Sequence, residues 1–238
     1  MTIKLNTSQK VFKLFIFFFF IICTQLFSQI QIGLDIDGEA AGDKSGTSVA
    51  LSSDGTIVAI GADVNAGNGN RAGHTRIYQY SGGSWSQLGS DIDAEAAGDL
   101  SGTSVALSSD GTIVAIGAYV NGGNGVAAGH TRIYQYSSGS WSQLGSDIDG
   151  EAALDFAGYS VSLSSDGTKV AIGALGNDGI GLEAGHTRIY QYSSGSWSQL
   201  GSDIDGEAAG DRSGYSVSLS GDGTKVAIGG YTNSGNGA

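Results

Sequence analysis

A single spacing governs this chain. Trp85, Trp141 and Trp197 lie 56 residues apart, as do His74, His130 and His186, and Asp35, Asp91, Asp147 and Asp203. Residues 31–86 and 87–142 differ at nine of 56 positions, residues 143–198 are a third copy, and residues 199–238 carry the first 40 positions of a fourth. No insertion or deletion breaks the register. Such a period means one supersecondary unit repeated, each copy burying a face against its neighbours.

The unit reads as four short strands. Thr47 to Ser52 (TSVALS) places Val49 and Leu51 on one face at period two. Ser53-Asp54-Gly55 is a tight hairpin signal, because Gly accepts positive φ. Thr56 to Ala62 (TIVAIGA) is apolar on both faces, as a strand buried between neighbours must be. Its small Gly61 and Ala62 suit an inner strand near a crowded axis. A Gly/Asn-rich loop, residues 63–73, leads to His74 to Tyr80 (HTRIYQY), rich in strand-favouring residues. Ser81 to Ser84 turns the chain into Trp85 to Leu88 (WSQL), and an acidic connection, residues 91–102, enters the next copy. No segment carries a 3.6-residue apolar period and every strand is bounded by Gly, which disfavours helical repeats. A β-helix is the structural rival, but its coils are shorter and lack two-residue hairpins. The expected fold is all-β, a β-propeller of four-stranded antiparallel blades. With three full units and part of a fourth, the ring is incomplete, at about three and a half blades of the usual 4–8. Gln31-Ile32-Gly33 matches Gln87-Leu88-Gly89, the overlap by which propellers close, yet a matching third strand is missing. Truncation, or association of chains, accounts for that.

The string DGEAAGDKSGTSVALSSDGTIVAIGA resembles the FG-GAP repeat of integrin-α-like propellers, in its bacterial secreted variety. The matching pieces are Gly42-Asp43, Gly46 followed by Ser48-Val49-Ala50, and Val58 to Ala62, repeated through residues 31–238. Ser45, Ser101, Ala157 and Ser213 stand where that family has its Phe. The resemblance implies a binding face on the variable loops. Its usual calcium loop, between the first two strands, does not carry over, because a two-residue hairpin cannot wrap an ion that takes 6–8 oxygens.

The candidate metal ligands lie instead in the acidic connection, at positions 1, 3, 5 and 9: Asp35, Asp37, Glu39 and Asp43; Asp91, Asp93, Glu95 and Asp99; Asp147, Asp149, Glu151 and Asp155; Asp203, Asp205, Glu207 and Asp211. Clustered carboxylates on a Gly-bearing loop suit a hard cation, and calcium is the cofactor they would take. The competing reading is a solvated loop with Asp43 capping a turn. The three His residues read as structural strand starts, and Trp on the last strand as blade packing. No G-x-S-x-G elbow is present.

Residues 1–28 are unlike the rest. Lys4, Lys10 and Lys13 precede an apolar run of ten, Leu14 to Cys23, too short for a ~20-residue span but matched to a secretory signal peptide. Removing it leaves 8 basic against 23 acidic side chains, which argues against nucleic-acid binding. Cys23, the only cysteine, goes with the leader, so residues 29–238 have no disulfide and no thiol nucleophile. No segment of residues 29–238 is apolar enough to span a membrane. The second-to-third-strand loops (DVNAGNGNRAG, YVNGGNGVAAG, LGNDGIGLEAG) vary most and share a face with the acidic connections, making that face the place for a protein or glycan partner. Because no residue breaks the repeat, and catalysis needs an asymmetric constellation, the sequence reads as a secreted or cell-surface, non-catalytic adhesion scaffold. A calcium-binding repeat protein and a fragment of a larger exported glycan-active enzyme are the alternatives.

Overall fold

The computed structural model describes residues 30–233; the leader lies outside them. The chain divides into Met1–Ile32, of which only residues 30–32 are described, and Gly33–Ala238. In the second unit, each full repeat forms one antiparallel sheet. The first holds β1 (Ser45–Leu51), β2 (Ile57–Ala62), β3 (His74–Ser81) and β4 (Ser84–Gln87) in that order, with a short β5 (Ile92–Asp93) also on β3. The second repeats this with β6 (Ser104–Leu107), β7 (Ile113–Ala118), β8 (His130–Ser137), β9 (Ser140–Gln143) and β10 (Ile148–Asp149). The third holds β11 (Ala157–Leu163), β12 (Lys169–Ala174), β13 (His186–Ser193), β14 (Ser196–Gln199) and β15 (Ile204–Asp205). A final pair, β16 (Ser213–Leu219) and β17 (Val226–Gly230), begins a fourth. First strands lie against first strands, β1 on β6, β6 on β11 and β11 on β16. This is an incomplete propeller, open rather than closed into a barrel.

The core lies between sheets, and the second strand explains it. Alternate side chains on a strand face opposite sides. In β7, Ile113 and Ala115 pack with Val161, Leu163, Val170 and Ile172 of the following sheet, while Val114 and Ile116 pack with Ile57, Ala59 and Ile77 of the preceding one. Each fully buried Ile contributes about 1.5–3 kcal/mol. Where β1 has no described sheet on its outer side, Val49 and Leu51 stay exposed at 65% and 61%, whereas their third-unit equivalents Val161 and Leu163 are buried.

The hub position differs from the expectation. The first strand, not the one carrying Gly61, is innermost. The small residue serves a close approach between sheets: a Cβ on Gly117 would collide with the Gly158 carbonyl of the next sheet, and Gly61 and Gly173 meet Gly102 and Gly214 in the same way. At each of these joints a serine donates to the same carbonyl: Ser48 to Gly102, Ser104 to Gly158 and Ser160 to Gly214, at 2.7–2.8 Å. The hairpins add a second link. Ser53 N–H donates to Ser109 O, Ser109 N–H to Ser165 O, and Ser165 N–H to Gly221 O, each 2.8 Å. Each hairpin closes on its aspartate, as where Asp54 accepts from Ser52 Oγ (2.7 Å) and the Thr56 amide (3.0 Å).

Candidate metal centres

The acids of one connection do not gather around one point. They divide between neighbouring sheets. Position 1 reaches back to the His of the preceding unit and position 5 forward to the His of the next, so that Glu39, His74 and Asp91 meet, then Glu95, His130 and Asp147, then Glu151, His186 and Asp203. In each group one donor atom per residue lies within 4.8 Å of the others.

The imidazole is fixed by the sheet. His130 opens β8, between Ala118 on β7 and Asp149 on β10, which leaves it 1% exposed. Its Nδ1 lies 3.7 Å from Glu95 Oε2 and 3.6 Å from Asp147 Oδ2. Both are too long for a hydrogen bond, and the atom has no partner among the described residues. His74 repeats the distances, at 3.7 Å to Glu39 and 3.6 Å to Asp91. The carboxylates are partly open, with Glu95 at 46% and Asp147 at 27% side-chain exposure. Burial, and then the Arg132 charge, pull the His130 pKa down to about 4, against the opposing Asp147 and Asp99. The ring is therefore neutral at pH 7, with a nitrogen lone pair to give.

A point equidistant from three donors so spaced lies ~2.0–2.4 Å from each, which covers Zn–N and Zn–O bonds and reaches the short end for larger divalent ions. One neutral imidazole, two carboxylates and a solvent-facing side make a site with open positions.

Arginine separates the third group from the others. Arg76 and Arg132 donate to the Asp37 and Asp93 carbonyls, at 2.7 Å each, and come no nearer than 3.9 and 3.7 Å to Glu39 and Glu95. Arg188 instead pairs with both oxygens of Asp203, at 2.9 and 3.0 Å, and also with Glu151. Its hydrogen bond holds the Asp203 carboxyl below the usual range. Two centres are open and the third is closed by its own arginine.

The remaining expected acids take other places. Position 9 is buried and caps the turn: Asp99 Oδ2 accepts from the Ala96 amide (2.9 Å) and Asn121 (3.1 Å), Asp43 and Asp211 are bonded alike, and Asp155 accepts from the Glu151 and Ala152 amides. At position 3, Asp93, Asp149 and Asp205 end the short strands β5, β10 and β15, and Asp37 lines a surface cleft beside Asp35. Glu207 belongs to no such group among the described residues; its amide donates to Asp211. The histidines, expected only as structural strand starts, are part of every group. A signal existed, since each His sits at a fixed distance from an acid on either side. In near-identical copies every residue has that property, so it singled out nothing.

These groups overturn the non-catalytic adhesion scaffold and the exclusion of an enzyme that went with it. Each constellation is assembled from three separated segments of two successive units, and needs no break in the repeat.

No family model and no curated protein matches the sequence. The FG-GAP and integrin-α resemblance therefore reduces to the propeller-like architecture. Solved structures share that architecture. A candidate 6-phosphogluconolactonase from Bacteroides uniformis is 12% identical, with a TM-score of 0.51 over 82% of this chain and 46% of its own. Saccharomyces cerevisiae Sqt1 is 13% identical, with a TM-score of 0.50 over 78% and 42%. Hydrazine synthase from Kuenenia stuttgartiensis is 11% identical, with a TM-score of 0.49 over 84% and 44%. The chain spans less than half the length of each. At such identities the first two show a likeness of fold alone. Among the described residues, no helix is long and apolar enough to cross a membrane.

Proposed function

We propose that this chain is the metal-binding part of an exported, metal-dependent hydrolytic enzyme, with an ion held by Glu39, His74 and Asp91 and another by Glu95, His130 and Asp147. The observation that carries this is the buried, unpartnered Nδ1 of His130, aimed between two carboxylates. A buried polar atom without a partner costs about 1–3 kcal/mol, and an ion between the three donors removes that cost. The imidazole favours a borderline ion such as zinc over calcium, which takes oxygen ligands, and the two carboxylates also suit manganese. Such an ion polarises a substrate oxygen and lowers the pKa of bound water. The carboxylates hold it, and the neutral His130 fixes its position. His74 and His130 directly follow the variable loops and their carboxylates come from the acidic connections, which supports that face as the one a substrate would approach.

Calorimetric titration of chelator-treated protein with Zn2+, Mn2+, Ca2+ and Mg2+ tests this. Two equivalents of Zn2+ or Mn2+ are expected, falling to one in His130→Ala. Absence of heat with all four ions, or uptake unchanged in that variant, refutes it.

A further inference from the structure

Beside these centres the junctions between sheets open into clefts. One, of about 230 Å³, lies between β10 and the next sheet's β13–β14 and is lined by Asp147, Asp149, Tyr190, Ser196 and Trp197. Another, of about 290 Å³, is lined by the first-unit equivalents Asp35, Asp37, Tyr78, Ser84 and Trp85. The middle unit carries the same residue types at the same register. Each cleft is below the ~300 Å³ at which pockets for drug-sized ligands begin, so it takes one ring.

The cleft is built in advance. Trp197 Nε1 donates to the Leu144 carbonyl of the preceding sheet's connection at 2.7 Å, and its ring lies against Tyr192 with centroids 5.2 Å apart. An aromatic wall fixed in this way costs little to order on binding. Two indole and phenol surfaces offer an apolar contact, while Asp149, Ser196 and the Tyr190 hydroxyl supply acceptors and donors around the rim. A pyranose has the complementary form, with an apolar C–H face and a rim of hydroxyls. A cationic ligand fits less well. Asp147 already accepts from Gln143 at 2.5 Å and reaches into the His130 group, so a positive ligand would stand beside the ion held there.

We propose that these clefts are subsites, each for one neutral hexopyranose ring of a glycan. This deepens the reading of a metal-dependent hydrolytic enzyme and rests on it for the role of the sugar, which Asp147 links to the centre at His130. Sugar binding itself needs no ion.

The chain's three Trp residues all stand at this one register, so selectively excited tryptophan emission reports on it. The whole chain is titrated with methyl glycosides of glucose, galactose and N-acetylglucosamine, in EDTA and again with Zn2+. A saturable change in emission with at least one glycoside is expected in both conditions. It should weaken about tenfold, the equivalent of one lost hydrogen bond, in Asp37→Asn/Asp93→Asn/Asp149→Asn. Ser84→Gln/Ser140→Gln/Ser196→Gln, at the exposed first positions of β4, β9 and β14, should block it by filling the clefts. A silent titration with every glycoside, or a response to tetramethylammonium alone, overturns the proposal. Sugar binding without metal uptake leaves the subsites standing and removes the metal centres; metal uptake with silent sugars does the reverse.

Discussion

Adding one methyl group at Gly117 tests how the sheets are held together. Its Cβ would lie 2.9 Å from the Gly158 carbonyl carbon, and nearer still to that carbonyl's oxygen and to the Ser104 hydroxyl. The near atoms are backbone of the neighbouring sheet, which cannot swing away. The sheets must part by roughly an ångström, at an overpacking cost of about 1–3 kcal/mol. The Ser104–Gly158 hydrogen bond, 2.7 Å long, is lost with them, for about 1 kcal/mol more. Reduced freedom of the unfolded chain returns about 0.4–1 kcal/mol. The net loss is about 1–3.6 kcal/mol, or a Tm fall of roughly 2–14 °C for a domain of this size. Gly139→Ala is the control. Gly139 has a φ of 87° with nothing near its Cβ position, so only left-handed strain of about 1–2 kcal/mol applies. Differential scanning calorimetry of both variants decides between them. If Gly117→Ala melts at or above Gly139→Ala, the close approach does not hold the sheets and the packing argument fails.

Arg188→Met frees Glu151 and Asp203, and should raise zinc uptake in calorimetric titration from two equivalents to three; an unchanged stoichiometry refutes the closing role of the arginine. Asp99→Ala leaves the Ala96 amide and Asn121 without their acceptor, and should cost about 2–4 kcal/mol in urea denaturation; a loss under 1 kcal/mol shows that the cap is dispensable. The hairpin aspartates contribute to acid stability: the Ser220 hydroxyl and Thr224 amide hold Asp222 down at about 2, and the Ser164 hydroxyl and Thr168 amide hold Asp166 below the usual carboxylate range. A carboxyl depressed in the fold stabilises above its unfolded pKa of about 3.9, and that contribution disappears as pH falls through the folded value. Tm should therefore decline between pH 4 and 2, less steeply in Asp166→Asn/Asp222→Asn; identical slopes for variant and parent contradict this.

The architecture was legible because the unit's signals are local. Hairpin, alternation and a doubly apolar second strand each follow from neighbouring residues, and repetition states them several times over. The fifth strand was not legible. Ile92–Asp93 is two residues long, and only its pairing with His74 and Thr75 makes it a strand. The centres were half legible. The acids stood out by composition, but their division between sheets depends on the fold, since a connection whose first carboxylate faces one blade and whose third faces the next looks on paper like a single loop. Repetition also misled, because it was taken to forbid a reactive site when it only multiplies one.

The hairpin ladder from Ser53 to Gly221 runs one way, each copy offering its amide to the carbonyl of its successor. A joint with such polarity does not count its members. The same edge chemistry accepts another module regardless of how many came before, so a duplicated gene segment arrives already fitted at both ends. Recognition between modules therefore sets no limit on their number, and this makes length an easy property of such a protein for evolution, or an engineer, to change.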